Sequence, residues 1–152
     1  VKGDVKADMN EVIDRALRLA DADIRENSVA VVFHPDLSLL PVRVNAERFT
    51  QALLNLFLNA VQAMPHGDVI RIEAHMHPDE ESLNIIVEDN GQGMTEEVRK
   101  TIFDPYFTTK SSGTGLGLAI VHQIVEAHGG SVSVRSKPGE GAAFTIRIPV
   151  GE

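Results

Sequence analysis

Two glycine clusters constrain the fold of this 152-residue chain more than any other feature. The segment Asp89–Gly93 follows an apolar run typical of a strand, and Gly113–Gly117 precedes an apolar run typical of a helix. Each glycine costs backbone entropy, so a packed core alone gives no reason to cluster them. Close approach of the backbone to a ligand is the physical reason that we expect.

Length, composition and charge narrow the classes of protein that this chain can belong to. With 43% hydrophobic residues the chain is long enough for one buried core, and we expect a single domain over residues 1–152. The absence of cysteine excludes disulfides and thiolate metal sites. The formal net charge of −8 disfavours a non-specific nucleic-acid binder. If the chain binds a polyphosphate, we expect the negative charge of that ligand to be neutralised at the site itself, by a metal ion, a few basic side chains and backbone amides at helix N-termini.

The spacing of apolar residues predicts three main helices and a mostly antiparallel sheet. The three helices are expected from an N-cap at Asn10 to about Glu26, from an N-cap at Asn45 to Met64, and from Gly117 to His128, with a short helix from Thr95 to Lys100. Strands are expected over residues 29–33, 41–44, 69–77, 83–88, 131–136 and 143–149. This order predicts one domain of mixed α and β structure.

Two asparagines indicate a metal site on the second of these helices. Asn55 and Asn59 lie at positions i and i+4, so they share one face of the helix. An asparagine side-chain oxygen is a neutral, hard ligand that suits Mg²⁺ while the ion keeps several waters and the phosphate oxygens of a substrate. Taken alone, the pair is also compatible with two amides that satisfy backbone groups at a helix surface.

Asp89 ends the apolar strand over residues 83–88, where its carboxylate could face the floor of a pocket. An ionised carboxylate only accepts hydrogen bonds, so it can receive the exocyclic amine of adenine but repels the carbonyl of guanine. Gly91 and Gly93 would let the backbone pass such a ring closely. An ordinary turn is the alternative, because Asp-Asn-Gly is a common turn signal after a strand.

The second glycine cluster leads into a helix, where free amides and the helix dipole favour phosphate. It lacks the Gly-Lys-Ser/Thr of a Walker A loop, and Leu118 stands where the third glycine of a dinucleotide-binding fingerprint belongs. Lys110 is the nearest cation and could reach a terminal phosphate. By itself the segment is also compatible with a flexible loop that carries a solvated lysine.

These features occur together, in a recognisable order. The paired asparagines, Asp89–Gly93, the aromatic segment Phe103–Lys110 and Gly113–Gly117 resemble the N, G1, F and G2 boxes of the ATP-binding domain of sensor histidine kinases. That domain belongs to the superfamily of gyrase, chaperone, histidine kinase and mismatch-repair ATPases. The resemblance covers essentially the whole chain, and residues 54–60 and 103–110 look most like the nitrogen-regulation-type branch. It implies a Bergerat-type ATP-binding fold, an α+β two-layer sandwich with a mixed, mostly antiparallel sheet and three main helices on one face.

The resemblance also implies a role for each candidate site residue. Asn59 would bind Mg²⁺, and Asn55 would hold the hydration shell of the metal or assist phosphoryl transfer. Asp89 would bind adenine, and Lys110 would meet the outer phosphates as a catalytic group. The other nucleotide-binding positions that it implies are Gly91, Gly93 and Met94 near the ring, and Gly113, Thr114, Gly115, Leu116 and Gly117 in a mobile lid over the phosphates.

The chain departs from the family pattern at three positions. ATPase relatives carry glutamate, which activates water, at the position of Asn55. Asparagine cannot act as a general base, so phosphoryl transfer is favoured over rapid hydrolysis. Ala142 stands where the family commonly has threonine, which removes one hydroxyl near the adenine. Gln62 replaces a basic residue of many members, which leaves more of the phosphate charge to Lys110.

The resemblance implies that this chain is the catalytic part of a histidine protein kinase in two-component signal transduction. It would bind ATP with Mg²⁺ and transfer the γ-phosphate to a histidine. A phosphoacceptor histidine is normally followed by an acidic residue, and none of the six histidines here is. We therefore expect the acceptor on a separate dimerisation domain of the same kinase, and little activity from this domain in isolation.

The same resemblance sets expectations for partners and location. A response regulator would be an indirect partner, with no nucleic-acid partner. No apolar run is long enough to span a membrane, so we expect a monomeric, cytoplasmic domain without membrane contact, whether or not its parent protein is anchored. Two alternatives stay open. An anti-sigma-type serine kinase shares the fold but lacks the segment over residues 103–110, and a degenerate module would bind a nucleotide or a partner without catalysis.

Overall fold

The structure, a computed structural model, describes residues 3–65, 67–79, 81–104 and 117–150. Within these ranges there are five helices and seven strands. They are β1 (Val5–Ala7), α1 (Met9–Leu19), α2 (Asp21–Glu26), β2 (Ala30–Phe33), β3 (Val42–Val44), α3 (Ala46–Gln62), β4 (Val69–Met76), β5 (Ser82–Asp89), α4 (Glu96–Thr101), α5 (Gly117–Ala127), β6 (Ser131–Ser136) and β7 (Ala142–Pro149).

The main sheet has five strands in the order β2-β4-β5-β7-β6, and β1 pairs separately with β3. Strands β2 and β4 run parallel, whereas the other neighbours in the main sheet are antiparallel. Side chains alternate along β5, so that Ile85, Val87 and Asp89 are buried on one face while Glu88 is exposed on the other. Helices α3 and α5 cover the buried face. The predicted α+β fold, with a mixed, mostly antiparallel sheet and its helices on one face, is confirmed.

Helix α3 lies at the centre of the helical layer, where it packs against both α1 and α5. The side chain of Asn45 caps it by accepting a hydrogen bond from the Arg48 amide at 3.1 Å, as the sequence predicts. Its apolar stripe is buried at Phe49, Ala52, Leu53, Leu56, Phe57, Ala60 and Val61. No helix within the described ranges combines the length and the apolar character that crossing a membrane requires.

A histidine holds the end of α5 against the start of α3. The Nε2 atom of His128 accepts a hydrogen bond from the Asn45 amide at 3.0 Å, and Nδ1 lies 2.7 Å from the Ile124 carbonyl oxygen. The ring also meets Phe49 edge-on, with 5.1 Å between centroids. Because Nε2 accepts, Nδ1 is the ring nitrogen that can donate to the Ile124 carbonyl oxygen. With the end of α5 beside the start of α3, the two helices run antiparallel.

The N-terminal part of the fold differs from the sequence prediction in three details. Asp8, rather than Asn10, caps the first helix, and it accepts from the Asn10 amide at 2.9 Å. The Asn10 side chain instead donates to the Asp36 carbonyl oxygen at 2.9 Å. The helix expected to reach Glu26 ends at Leu19, and a second helix, α2, begins at Asp21 and buries Ile24. Strand β1 was not predicted, because three residues carry too little pattern.

Candidate functional site

Helix α3 contacts both the loop after Asp89 and Gly117, the one residue of the second glycine cluster that the structure describes. The Nδ2 atom of Asn55 donates to the carbonyl oxygen of Gly117, the first residue of α5, at 3.2 Å. One residue beyond α3, the Ala63 carbonyl oxygen accepts from the Gln92 amide at 3.1 Å. These two contacts are about 12 Å apart along the helix axis, from the rise of 1.5 Å per residue. Asn59 is half-buried between them on the face that it shares with Asn55.

Asp89 is a buried carboxylate at the end of β5, with 3% of its surface exposed. In the sheet it lies opposite Ile70 on β4 and Ala142 on β7, both of them apolar and buried. Its Oδ1 atom accepts from the Gly91 amide at 2.8 Å, which is the contact of the turn that the sequence offers as the alternative. The turn therefore exists, but a carboxylate used only for a surface turn would have no need of burial.

The glycines of the first cluster allow protein backbone to approach protein backbone. A Cβ atom at Gly91 would lie 2.4 Å from the Ala63 carbonyl oxygen. Gly93 has a φ of +67°, and a Cβ atom there would lie 2.0 Å from the Lys137 carbonyl oxygen. The sequence suggested close passage of a ring as the reason for these glycines, whereas packing of the chain on itself already requires them. Their contact with a ligand stays a prediction.

The hairpin between β6 and β7 closes over the same loop, which sequence reasoning did not foresee. The Met94 amide donates to the Ser136 hydroxyl at 2.9 Å, and the Gly139 amide donates to the Gln92 carbonyl oxygen at 2.7 Å. Gly141 has a φ of +73°, and a Cβ atom there would lie 2.0 Å from the Asp89 carbonyl oxygen. Gly141 therefore allows the hairpin to lie directly against the end of β5.

The comparisons with known proteins agree with this geometry. Residues 44–152 match the model of the family of histidine kinase-, DNA gyrase B-, and HSP90-like ATPases. The chain belongs to this family. Among curated relatives, the sensor histidine kinase ZraS of Klebsiella oxytoca is 43% identical over 143 residues, which cover 94% of this chain and 31% of ZraS. The chain thus spans about a third of the length of that relative.

Solved structures of histidine kinases share the fold. The catalytic domain of the histidine kinase ThkA superposes with a TM-score of 0.85 at 30% identity, covering 97% of both chains. ThkA in complex with the response regulator protein TrrA gives a TM-score of 0.81 at 29% identity over 97% of this chain and 42% of that one. ShkA in complex with AMPPNP gives 0.82 at 26% identity over 98% of this chain and 32% of that one. This chain corresponds to the catalytic ATPase domain of sensor histidine kinases.

Ala142 and Gln62 are the two positions at which the chain departs from the histidine kinase pattern. Ala142 is 6% exposed and pairs with Asp89 in register, so a methyl group faces the strand end where the family commonly places a hydroxyl. Gln62 is exposed in the last turn of α3, beyond Asn59. Asn55 differs only from the ATPase relatives: it supplies an amide in place of their glutamate, and that amide binds the start of α5.

Part of the predicted site lies outside the described residues, namely Lys110, Gly113, Thr114, Gly115 and Leu116. The segments on either side of it are described. Phe103 packs its ring against Phe144 of β7 and His122 of α5, with centroids 6.1 and 5.7 Å apart. Gly117 is exposed, and among the described atoms nothing lies within 4 Å of a Cβ built on it.

A charged cleft of about 550 Å³ opens on the other side of the strand end. Its described lining comprises Glu88, Asp89, Asn90, Arg99, Val134, Arg135, Ser136, Lys137, Glu140, Gly141, Ala142 and Ala143. Glu88, Ala143 and Arg135 pair across β5, β7 and β6 on the face opposite the Asp89 side chain, so these three residues place part of the cleft on the exposed face of the sheet. On α4, the Arg99 guanidinium beside Glu96 holds the pKa of that exposed carboxyl below its ordinary value.

Proposed function

We propose that this chain binds Mg-ATP and transfers the γ-phosphate to a histidine on the dimerisation domain of the same kinase. The observation that carries the proposal is the arrangement along α3. One end of the helix contacts the loop after Asp89, its middle contacts the start of α5 through Asn55, and Asn59 lies between the two. The adenine of a bound nucleotide would lie at the loop after Asp89, and its phosphates would lie at the start of α5.

The adenine end is assigned to Asp89 because a buried carboxylate there accepts hydrogen bonds and donates none. It selects a base with an exocyclic amine. The loop that holds Gly91, Gly93 and Met94 would form the wall beside the ring, since its backbone is fixed against α3 and the hairpin. Ala142 offers no hydroxyl to this end, so we expect weaker ATP affinity than in relatives with threonine.

The phosphate end is assigned to the start of α5 and to the cluster over residues 113–117. An N-terminus of an 11-residue helix presents free amides and a favourable dipole to an anion. Lys110 would add a positive charge at the outer phosphates. Asn55, bonded to the Gly117 carbonyl oxygen, would keep this end of α5 in register with α3.

The donor atoms fit magnesium held jointly by protein and nucleotide. The described residues contain no group of three or more His, Asp or Glu side chains arranged for a metal ion. The amide oxygen of Asn59 would therefore share the ion with waters and phosphate oxygens, a donor set that Mg²⁺ accepts. When bound, magnesium offsets the negative charge on the phosphates.

Transfer is proposed over hydrolysis because Asn55 cannot take a proton from water. Phosphoryl transfer needs little covalent chemistry from the protein, so holding the nucleotide in line with its acceptor is the main task of the site. The acceptor histidine would come from the dimerisation domain. In ThkA the kinase forms a complex with a response regulator, and we propose such a regulator as the next acceptor here.

The wider context of the chain belongs to the same proposal. We propose that residues 1–152 act as one catalytic domain in the cytoplasm, and that the chain belongs to the nitrogen-regulation-type branch. The relatives found are sensor histidine kinases, so a serine kinase is not favoured. A degenerate module keeps two supporting observations, Ala142 and Gln62, and calorimetry with Mg-ATP separates it from a functional kinase.

The decisive experiment mixes the chain, ATP labelled at the γ-phosphate and a fragment that carries the acceptor helix of a sensor histidine kinase. We expect phosphate that is labile in acid and stable in base, as phosphohistidine is, on the acceptor fragment. We expect less transfer from Asp89→Asn, and its control is Asp14→Asn, which removes the same charge on the exposed face of α1. Binding of Mg-ATP without any transfer to the acceptor would contradict the kinase assignment.

A further inference from the structure

Ser136, the last residue of β6, joins three segments through its hydroxyl group. The Met94 amide donates to Ser136 Oγ at 2.9 Å, and Ser136 Oγ donates to the Gly141 carbonyl oxygen at 2.6 Å. Ser136 also lies opposite Ala142, which in turn lies opposite Asp89. One side chain thus connects the loop after Asp89 with the hairpin that backs it.

The geometry around Ser136 leaves no side chain between these backbones. A Cβ atom at Gly141 would lie 2.0 Å from the Asp89 carbonyl oxygen, and one at Gly93 would lie 2.0 Å from that of Lys137. The loop and the hairpin are therefore in backbone contact on both sides of Ser136. Gln92, between the two glycines of the loop, adds backbone hydrogen bonds to Ala63 and Gly139.

We propose that Ser136 is a positioning residue for nucleotide binding, whose hydroxyl fixes the Met94 end of the loop against the hairpin. The inference rests on the proposed function, because it assigns this loop to the adenine end of ATP. Met94 is half-buried and packs on the core, and the hydrogen bond from its amide to Ser136 is partly buried. Alanine at position 136 would remove the acceptor of the Met94 amide and the donor to Gly141 together.

Without that hydroxyl, the Met94 end of the loop can leave the position in which it walls the site, while Gln92 keeps its backbone hydrogen bonds and Asp89 stays in the sheet. Loss of the partner of a partly buried amide costs about as much as a five- to tenfold change in a binding constant. The effect should appear in nucleotides that share the adenine base, whatever their number of phosphates. Ser136 contacts none of the phosphate-end residues that the structure describes, so magnesium dependence should stay unchanged.

The test compares Ser136→Ala with Ser136→Thr, which keeps a hydroxyl, and with Ser133→Ala, which removes an exposed hydroxyl from the same strand. Calorimetry measures the dissociation constants of Mg-ATP, ADP and adenosine, and amide hydrogen exchange reports on Met94. All measurements are made well below the lowest melting temperature of the set, so that each variant is folded. We expect Ser136→Ala to bind all three ligands five- to tenfold more weakly and to lose protection at the Met94 amide.

Each result bears on the inference separately from the proposed function. We expect the dissociation constants of Ser136→Thr and Ser133→Ala to lie within about twofold of those of the parent chain, because both variants keep a hydroxyl group at position 136. Unchanged binding in Ser136→Ala, or an equal loss in the alanine and threonine variants, would overturn the role of the hydroxyl. Failure of the parent chain itself to bind Mg-ATP would instead overturn the proposed function.

Discussion

The described glycines of the two clusters, Gly91 and Gly93 in the first and Gly117 in the second, differ in what surrounds them. At Gly91 and Gly93 an added methyl group would collide with backbone oxygens, at 2.4 and 2.0 Å. At Gly117 it would meet no described atom within 4 Å. The first end is built from backbone packed on backbone. At Gly117, the contact with α3 is a hydrogen bond from the side chain of Asn55 to the Gly117 carbonyl oxygen. Packing of backbone on backbone accounts for Gly91 and Gly93 but not for Gly117. A cluster of glycines therefore does not by itself indicate a ligand.

The largest effect that would test this comparison is on stability, in Gly93→Ala. The positive φ and the contact with Lys137 both oppose a side chain, so we expect a loss of about 2–4 kcal/mol in the free energy of unfolding. For a chain of this size that lowers the melting temperature by roughly 5–15 °C. Differential scanning calorimetry or thermal circular dichroism measures it.

Gly139→Ala is the matched control for this prediction. Gly139 also has a positive φ, +78°, but a Cβ atom there has nothing within 4 Å among the described atoms. The variant therefore isolates the conformational strain, about 1–2 kcal/mol. Equal losses in the two variants would contradict the claim that close backbone contact requires Gly93.

At the same end of the site, Asp89→Asn should change binding much more than folding. If asparagine keeps the hydrogen bond from the Gly91 amide through Oδ1, its Nδ2 takes the place of the second carboxylate oxygen. Two donors would then face each other at the adenine amine. We expect ATP affinity to fall about ten- to a hundredfold, as for loss of a hydrogen bond to a charged group, measured by calorimetry.

Asp14→Asn on α1 is the control for charge alone, because its carboxylate is exposed and pairs only with a neighbour on the same helix among the described residues. Affinity that is unchanged in Asp89→Asn removes Asp89 from the site. A melting temperature that falls as far as in Gly93→Ala would show that the buried carboxylate serves the fold.

Features that depend on neighbouring residues were predicted from the sequence, whereas features that depend on contacts between distant residues were missed. Helix α3 and strand β5 were predicted from periodicity within a few residues, and so was the turn at Asp89. Strand β1 was missed because its three residues gain order only by pairing with β3, far along the chain. The break at Ala20 was missed because apolar spacing continues through it. Ser136 was missed for the same kind of reason, since its contact with Met94 spans 42 positions.

Between the two ends, Asn59→Ala should alter the metal requirement and little else. Asn59 is half-buried on α3, and alanine is the better helix former, so the helix is retained. We expect ATP binding in the variant to depend less on Mg²⁺, with affinity in excess magnesium reduced about tenfold. Titration of magnesium at fixed ATP measures this, with Gln51→Ala on the exposed face of the same helix as the control. An unaltered magnesium dependence would contradict the assignment of Asn59 as the ligand.

The smallest effect on stability is expected in Gly117→Ala, which tests whether Gly117 serves packing or a ligand. Gly117 begins α5 without a positive φ, so alanine is compatible with its backbone and can stabilise the helix by up to about 1 kcal/mol. A melting temperature that is unchanged or slightly raised, together with weaker Mg-ATP binding, would give Gly117 a ligand-based cause. A loss of stability comparable with that of Gly93→Ala would mean that Gly117 also serves packing, because the methyl group would then have met protein rather than open space. Measuring melting temperature and ATP affinity on the same samples separates these outcomes.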